Sequence, residues 1–231
     1  MEASMFYTAV GCFRMKRDES GQRYPIILQN RREQHLSIQE MTVWTALCWR
    51  ILTYDQLQAK YNLLMQGSEA AAGLSFETCV AHMVSRGLIA RGTGQTDFEA
   101  LYELLGRLYV VPLSSNVLLH LAAFLKLTLF RGVPISRARL LFVKDRPDPQ
   151  EAQVLALAKQ TPLSTAELIK CVEIGAWDLS SQDKIMNTLY GDSQTTSENI
   201  ADLMRCAQSR KNVTMAVSNL LCRKQILLDQ V

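Results

Sequence analysis

At 231 residues, 48% hydrophobic and 20% charged, the chain is long enough for one large domain or two small ones, each burying its own core. A formal charge of +3 and a pI near 8.5 make it only mildly basic, so total charge compels no polyanionic partner and a nucleic-acid argument must rest on where the charges sit. The start "MEASMFYTAVGCFRMKRDE" meets polar residues too soon for a secretory signal, and the most apolar run, Val117 to Phe130, is too short to span a bilayer and carries His120 and Lys126. A soluble, cytoplasmic protein without membrane contact is expected.

In chain order, "MFYTAVGCFRM" and "RYPIILQN" flank a charged turn around Asp18 to Gly21 and predict a β-hairpin. Ser37 and Glu40 form a capping box, followed at helical spacing by Met41, Trp44, Leu47, Cys48 and Ile51. A second helix starts at Thr53, with Gln56 as box partner, and buries Leu57, Tyr61 and Leu64. After the connection "QGSEAAAG", Ser75 caps a third helix whose buried face is Phe76, Val80, Met83 and Val84, and Gly87 stands where a helix end wants a positive φ. Leu88 to Ala90 reads as a short strand and "RGTGQTD" as a glycine-rich loop.

Hairpin, three helices, strand and loop, ending at "MVSRGLIARGTG", resembles a winged helix-turn-helix, with that stretch as recognition helix and wing. Residues 98 to 108 have apolar positions at helical spacing where a simple wing would return as a strand. The return strand is either delayed to Leu108–Leu113 or absent. Beyond Pro112, a cap at Ser115 or Asn116 opens the apolar helix to Phe130, a surface for pairing two copies or the packing core between two lobes. The basic stretch with Arg131, Arg137, Arg139, Lys144 and Arg146 reaches Pro147 and Pro149. Asp148, Pro149 and Glu151 start another helix, and Ser164 and Glu167 form a second capping box. "QDKIMNTLYGD", "SENIADLMRCAQSR" and "NVTMAVSNLLCRKQ" are amphipathic helices, and "ILLDQV" is a short strand. The expected fold is mainly α with a small β-hairpin and wings: two winged-helix-like lobes, residues 1–113 and 148–231, joined by a helical linker over 114–147. A helix pair, then an amphipathic helix running into a short apolar strand, recurs near residues 89 and 227.

The six cysteines are scattered without a C-x-x-C pair and read as reduced thiols, and Trp44, Trp49 and Trp177 as core anchors, with exposure open for Trp49. His35, His82 and His120 show no metal spacing, "GTGQTD" lacks the lysine of a phosphate loop, and no G-x-S-x-G occurs, so no catalytic residue, metal or cofactor is expected. Base edges are matched by short polar and basic side chains on an exposed helix face. In the first lobe that face shows Thr78, His82, Ser85, Arg86 and, on the loop, Arg91, with Glu77 repelling phosphate. In the second, with Val213, Val217, Leu220 and Leu221 buried, Thr214, Met215, Ser218, Asn219, Cys222 and Arg223 point outward. Arg205, Arg210, Lys211, Arg223 and Lys224 add an acid-free basic run, whereas Asp148 to Asp202 holds nine acids against three lysines.

The resemblance implies a DNA-binding transcriptional regulator of bacterial or phage type, probing double-stranded DNA with the helix near Asn212 to Gln225, as a homodimer on two half-sites. A second class is open: a winged-helix protein-interaction or scaffold module, or a replication-initiator-like DNA binder, without effector-controlled transcription. The N-terminal hairpin followed by "LSIQEMTVWTAL" resembles the small peptide-chaperone fold of the PqqD type, which implies a three-stranded sheet and helices presenting an edge to a peptide partner. The two classes separate on the C-terminal cations. Ion pairs to the acidic stretch favour the interaction module, and a clear basic surface favours DNA.

Overall fold

The computed structural model describes residues 3–66, 74–113 and 146–230. Among them nine helices and small antiparallel sheets make up about 48% and 21% of the residues. The helix expected over 117–130 and the basic residues Arg131, Arg137, Arg139 and Lys144 lie outside the described residues, as does most of "QGSEAAAG".

The N-terminal apolar run does not fold as one arm of a hairpin. It divides at Gly11 into β1 (Ser4–Ala9) and β2 (Cys12–Arg17), which join different sheets. β2 pairs with β3 (Arg23–Gln29), and β3 turns tightly through Asn30 and Arg31, at φ 44° and 59°, into β4 (Arg32–His35). Two positive φ values in a two-residue loop suit the right-handed twist of a hairpin, although arginine is an uncommon choice there. Pro25 sits in the central strand opposite Met15, beyond the point where β4 ends opposite Ile26, so its missing N–H costs no bond to β4.

Both capping boxes of the first half form. Ser37 Oγ accepts from Glu40 N while Glu40 Oε2 accepts from Ser37 N, opening α1 (Ile38–Leu47); Thr53 and Gln56 do the same for α2 (Tyr54–Met65). Ser75 caps α3 (Phe76–Ser85), and Gly87 takes a φ of 73° that lets the chain reverse into β5 (Ile89–Gly94). Leu64, expected in the core, is instead exposed. The core of this half is Val43, Trp44, Leu47, Leu57, Val80, Met83 and Ile89 against Tyr7 and Ile27.

"RGTGQTD" is neither a loop nor a wing. Its first half is strand, paired antiparallel with β1 from Ser4↔Gly94 to Ala9↔Ile89, and Thr96 then caps α4 (Asp97–Leu105), which lies across the ribbon. Gly92 is required by that crossing: an added Cβ would fall against the backbone of Ala100 and 2.6 Å from Leu104 Cα. β6 (Tyr109–Pro112) is the delayed strand, but it does not return to β5. It lies at the centre of the second sheet, between β7 (Leu163–Ser164) and β8 (Ile226–Asp229), so a boundary drawn after residue 113 separates β6 from the sheet it completes.

The rest of the second half is α5 (Pro149–Ala158), α6 (Thr165–Ile174), α7 (Gln182–Tyr190), a single turn α8 (Ile200–Leu203) continued as a 3₁₀ turn, and α9 (Arg210–Cys222). Asp148–Glu151 and Ser164–Glu167 form their boxes. The helix expected over "SENIADLMRCAQSR" stops early because Ala207 extends, at ψ 142°, and lets Ser209 N and Oγ reach the Glu173 carboxylate. The buried amine of Lys170 holds the segment after α7 through Asp192 Oδ2 (2.7 Å), Thr195 Oγ1 (2.9 Å) and Leu189 O (2.7 Å).

The two halves share one plan. In the first, β1 lies between Leu52, an extended residue bridged to Tyr7 just before α2, and β5, which follows α3. In the second, β6 lies between β7, just before α6, and β8, which follows α9. They pack together: Gly11 N donates to Leu228 O (2.8 Å), Val10 belongs to the second core, and Tyr102 OH donates to Ala201 O (2.5 Å).

Candidate functional site

The exposed side of α9 was the expected reading face. Val213, Val217, Leu220 and Leu221 are buried as the spacing requires. Thr214 is not outward: it is fully buried, its hydroxyl without a hydrogen-bond partner among the described residues, because it shares the inward arc with Val213 and Val217. Lys211, Met215 and Asn219 are exposed and Ser218 half-buried.

Four of the five C-terminal cations are occupied within the chain. Arg205 pairs with Glu103 and with Asp202 (3.2 Å). Arg210 lies over the rings of Phe98 (5.0 Å) and Tyr102 (5.4 Å). Arg223 donates to Glu151 Oε2 at 2.6 Å, and that carboxylate is fully buried. Lys224, itself at φ 59°, sets its amine 5.7 Å from the centroid of the Trp49 ring. Only for Lys211, among these five and within the described residues, does no side-chain contact appear.

The first half behaves similarly. Arg86 is a clamp rather than a phosphate contact, donating to Glu40 Oε1 (2.8 Å), Gln34 Oε1 (3.0 Å) and His35 O (2.9 Å), which ties α3 to α1 and β4. His82 Nδ1 lies 3.1 Å from the same Glu40 oxygen. Ser85 Oγ turns back to His82 O, and the Thr78 hydroxyl meets Ser75 Oγ. Arg91 stands beside the hydroxyl of Tyr7, whose acidity burial lowers and Arg91 partly restores. It borders an open cleft of about 330 Å³ along α3, floored by Val80, Ala81 and Val84, with Glu77 also on its lining.

Glu40 joins these contacts. Burial alone would raise its pKa, but the Ser37 N–H, Arg86 and His82 outweigh it and hold the carboxyl below its ordinary value. A depressed carboxyl stabilises the fold above the unfolded-state pKa, and that contribution disappears as pH falls through the lower folded-state value. Glu40→Gln is therefore expected to lower stability at neutral pH by about 1–2 kcal/mol, as for loss of a charged hydrogen bond, and to flatten the acid limb of stability against pH. A denaturant series from neutral to strongly acidic pH checks both, and an unchanged acid limb would count against the assignment.

Cys12, Cys48, Cys79, Cys171, Cys206 and Cys222 are all unpaired. Burial pushes the thiols of Cys48, Cys79 and Cys171 up to about 11, which disfavours the reactive thiolate; Cys79 and Cys171 lie in the cores and Cys48 is half-buried beside one. Among the described residues no cluster of His, Cys, Asp or Glu could hold a metal ion, and no helix is long and apolar enough to cross a membrane. Trp44 is a core anchor, its Nε1 donating to Val10 O (3.0 Å), and Trp49 is half-buried; Trp177, expected in the core, is exposed.

A basic surface lies elsewhere. Residues 12–35 carry Arg14, Lys16, Arg17, Arg23, Arg31 and Arg32 against Asp18, Glu19 and Glu33, an excess of three positive charges equal to the net charge of the chain. Phe13 to Arg17 are all exposed, including Phe13 at 45% and Met15 at 52%. Within β2, Arg14 and Lys16 alternate with Phe13 and Met15 and Arg17 follows, and that alternation is the available signal. It is obscured when "MFYTAVGCFRM" is taken as a single arm opposite "RYPIILQN", since only its second part, β2, pairs there.

Comparison with protein-family models, with curated proteins and with solved structures finds no match to this chain.

Proposed function

We propose that this protein is a protein-interaction module of two winged-helix-like units, the first of which presents a sheet edge to an extended peptide segment. The observation that carries this is the engagement of Arg205, Arg210, Arg223 and Lys224 within the chain, where phosphate contacts would need them free. A three-stranded meander β2-β3-β4 followed by α1, α2 and α3 supports the likeness to the peptide-chaperone fold of the PqqD type. β1 pairs with β5, which follows α3, and β6 pairs with β8, which follows α9, so among the described residues each of these post-helix strands is drawn into a sheet.

A DNA-binding regulator is the second reading, favoured by one observation: Lys211, Asn212, Met215 and Asn219 form an exposed, acid-free face on α9. One pair of measurements separates the readings. Selection from a displayed random-peptide library is expected to enrich binders whose complexes protect strand-edge amides of residues 12–35 from hydrogen exchange, while random duplex DNA binds weakly at physiological salt and indifferently to Lys211→Ala. No enriched peptide, together with duplex binding that falls steeply with salt and weakens in Lys211→Ala, would replace the first reading by the second.

A further inference from the structure

β2 is an edge strand: β3 lies on one side of it, and among the described residues no strand lies on the other. Such an edge offers unpaired N–H and C=O groups to any extended chain that fits. The other sheet ends of the first half are more enclosed. Arg86 closes the end of β4 by bonding to His35 O, and α4 packs over β5.

Cross-strand pairing fixes which side chains share a face. Arg14 and Lys16 lie opposite Ile26 and Tyr24, on the face where Lys16 bonds Glu33 (2.7 Å) and Tyr24 stacks on His35 (5.6 Å). Phe13 and Met15 lie opposite Ile27 and Pro25, on the face turned to α1, where the Phe13 ring is 6.5 Å from that of Trp44. Both apolar side chains nevertheless stay about half exposed. The edge is thus basic on the face of Arg14 and Lys16, while the other face carries Phe13 and Met15 and ends at Arg17, opposite Arg23.

Because strand side chains alternate between faces, we propose that the β2 edge takes an extended peptide in which acidic and apolar residues alternate, its acids beside Arg14 and beside Lys16, whose solvent-exposed pair with Glu33 is of the weak surface kind that an incoming acid can share, and its apolar residues beside Phe13 and Met15. This rests on the peptide-module reading and names its edge and its ligand chemistry. A second copy of β2 brings no acid to these cations, since residues 12–17 hold Arg14, Lys16 and Arg17 and no Asp or Glu. A nucleic acid would satisfy the cations but leave Phe13 and Met15 uncovered on the opposite face.

The test uses the full chain and a fluorescent capped peptide alternating glutamate with leucine and valine. Its controls are a peptide of the same composition with acids and apolar residues in separate blocks, an alternating lysine peptide, and single- and double-stranded oligonucleotides. The alternating acidic peptide is expected to bind at least about ten times more tightly than the blocked one, on the scale of one or two cross-strand charge pairs, and to protect amides of residues 12–17 from exchange. Arg14→Glu with Lys16→Glu should reverse the preference toward the lysine peptide, and Phe13→Ser should weaken both; all three side chains are exposed, so circular dichroism should report native folding. Equal binding of the blocked peptide, no reversal in the charge-swapped variant, or binding of oligonucleotides alone would overturn the proposal. Protection at β4 or β5 instead of β2 would overturn the assigned edge while leaving the peptide-module reading standing, and binding of no peptide from either this set or the displayed library would remove both.

Discussion

Replacing Gly92 by alanine is expected to destabilise the protein by about 3 kcal/mol, the upper part of the range for forcing a methyl group into a filled site. For a chain of this size, that is a fall in melting temperature of roughly 6–12 °C. The site is unforgiving because the added Cβ would meet backbone, at Ala100 and Leu104 of α4, and not the movable end of a side chain. Relief requires lifting α4 from the β1/β5 ribbon. That helix also carries Phe98 and Tyr102 beneath Arg210, and Tyr102 bonds Ala201 of the second half. Damage at Gly92 should therefore loosen the contact between the two halves, read as new hydrogen exchange in α9 as well as in β5. A variant with wild-type melting and unchanged exchange would show that Gly92 belongs to an accommodating loop, as a wing glycine would.

Arg223→Ala is expected to cost about 3 kcal/mol, near the lower end of the range for removing one partner of a buried ion pair, since Arg223 is itself partly exposed. The loss arises mainly at Glu151. This carboxylate is fully buried at the third position of α5, bonded through Oε2 to Asp148 N (3.1 Å) and to Arg223, with no partner for Oε1 among the described residues. Without the guanidinium, a buried charge stands uncompensated. Adding Glu151→Gln to Arg223→Ala should recover much of the lost stability, because a neutral amide keeps the shape without the charge. Lys211→Ala should change stability by less than about 0.5 kcal/mol, as expected of a surface side chain without contacts. Chemical denaturation of the four proteins separates the cases: equal, small effects at Arg223 and Lys211 would mean that both are free cations and would return α9 to candidacy as a phosphate-binding helix.

Much of the helical layout was legible because its determinants are local. The boxes at Ser37, Thr53, Asp148 and Ser164 lie within four residues of the groups they satisfy, and the buried sets of α3 and α9 follow from 3.6-residue periodicity. The errors cluster where a residue's role depends on a distant partner. "MFYTA" reads as a strand from its composition, but its pairing with residues 89–94 and not with "RYPIILQ" is decided by long-range sheet closure. The glycines of "RGTGQTD" look like loop residues until α4 is seen lying across Gly92.

The candidate site was less legible, and for an electrostatic reason. Sequence counts charges, but whether a cation is available depends on what folds against it. Arg223 finds Glu151 across 72 residues, Arg205 finds Glu103 across 102, and Arg86 finds Glu40 across 46. The helix starts, the buried arcs and the recurrence of one plan in two halves could be read along the chain, since each is set by near neighbours. That β6 joins the second sheet, that the C-terminal cations are largely occupied and that the exposed basic edge lies on β2 emerges on folding, because strand pairing and ion pairing join segments far apart in sequence.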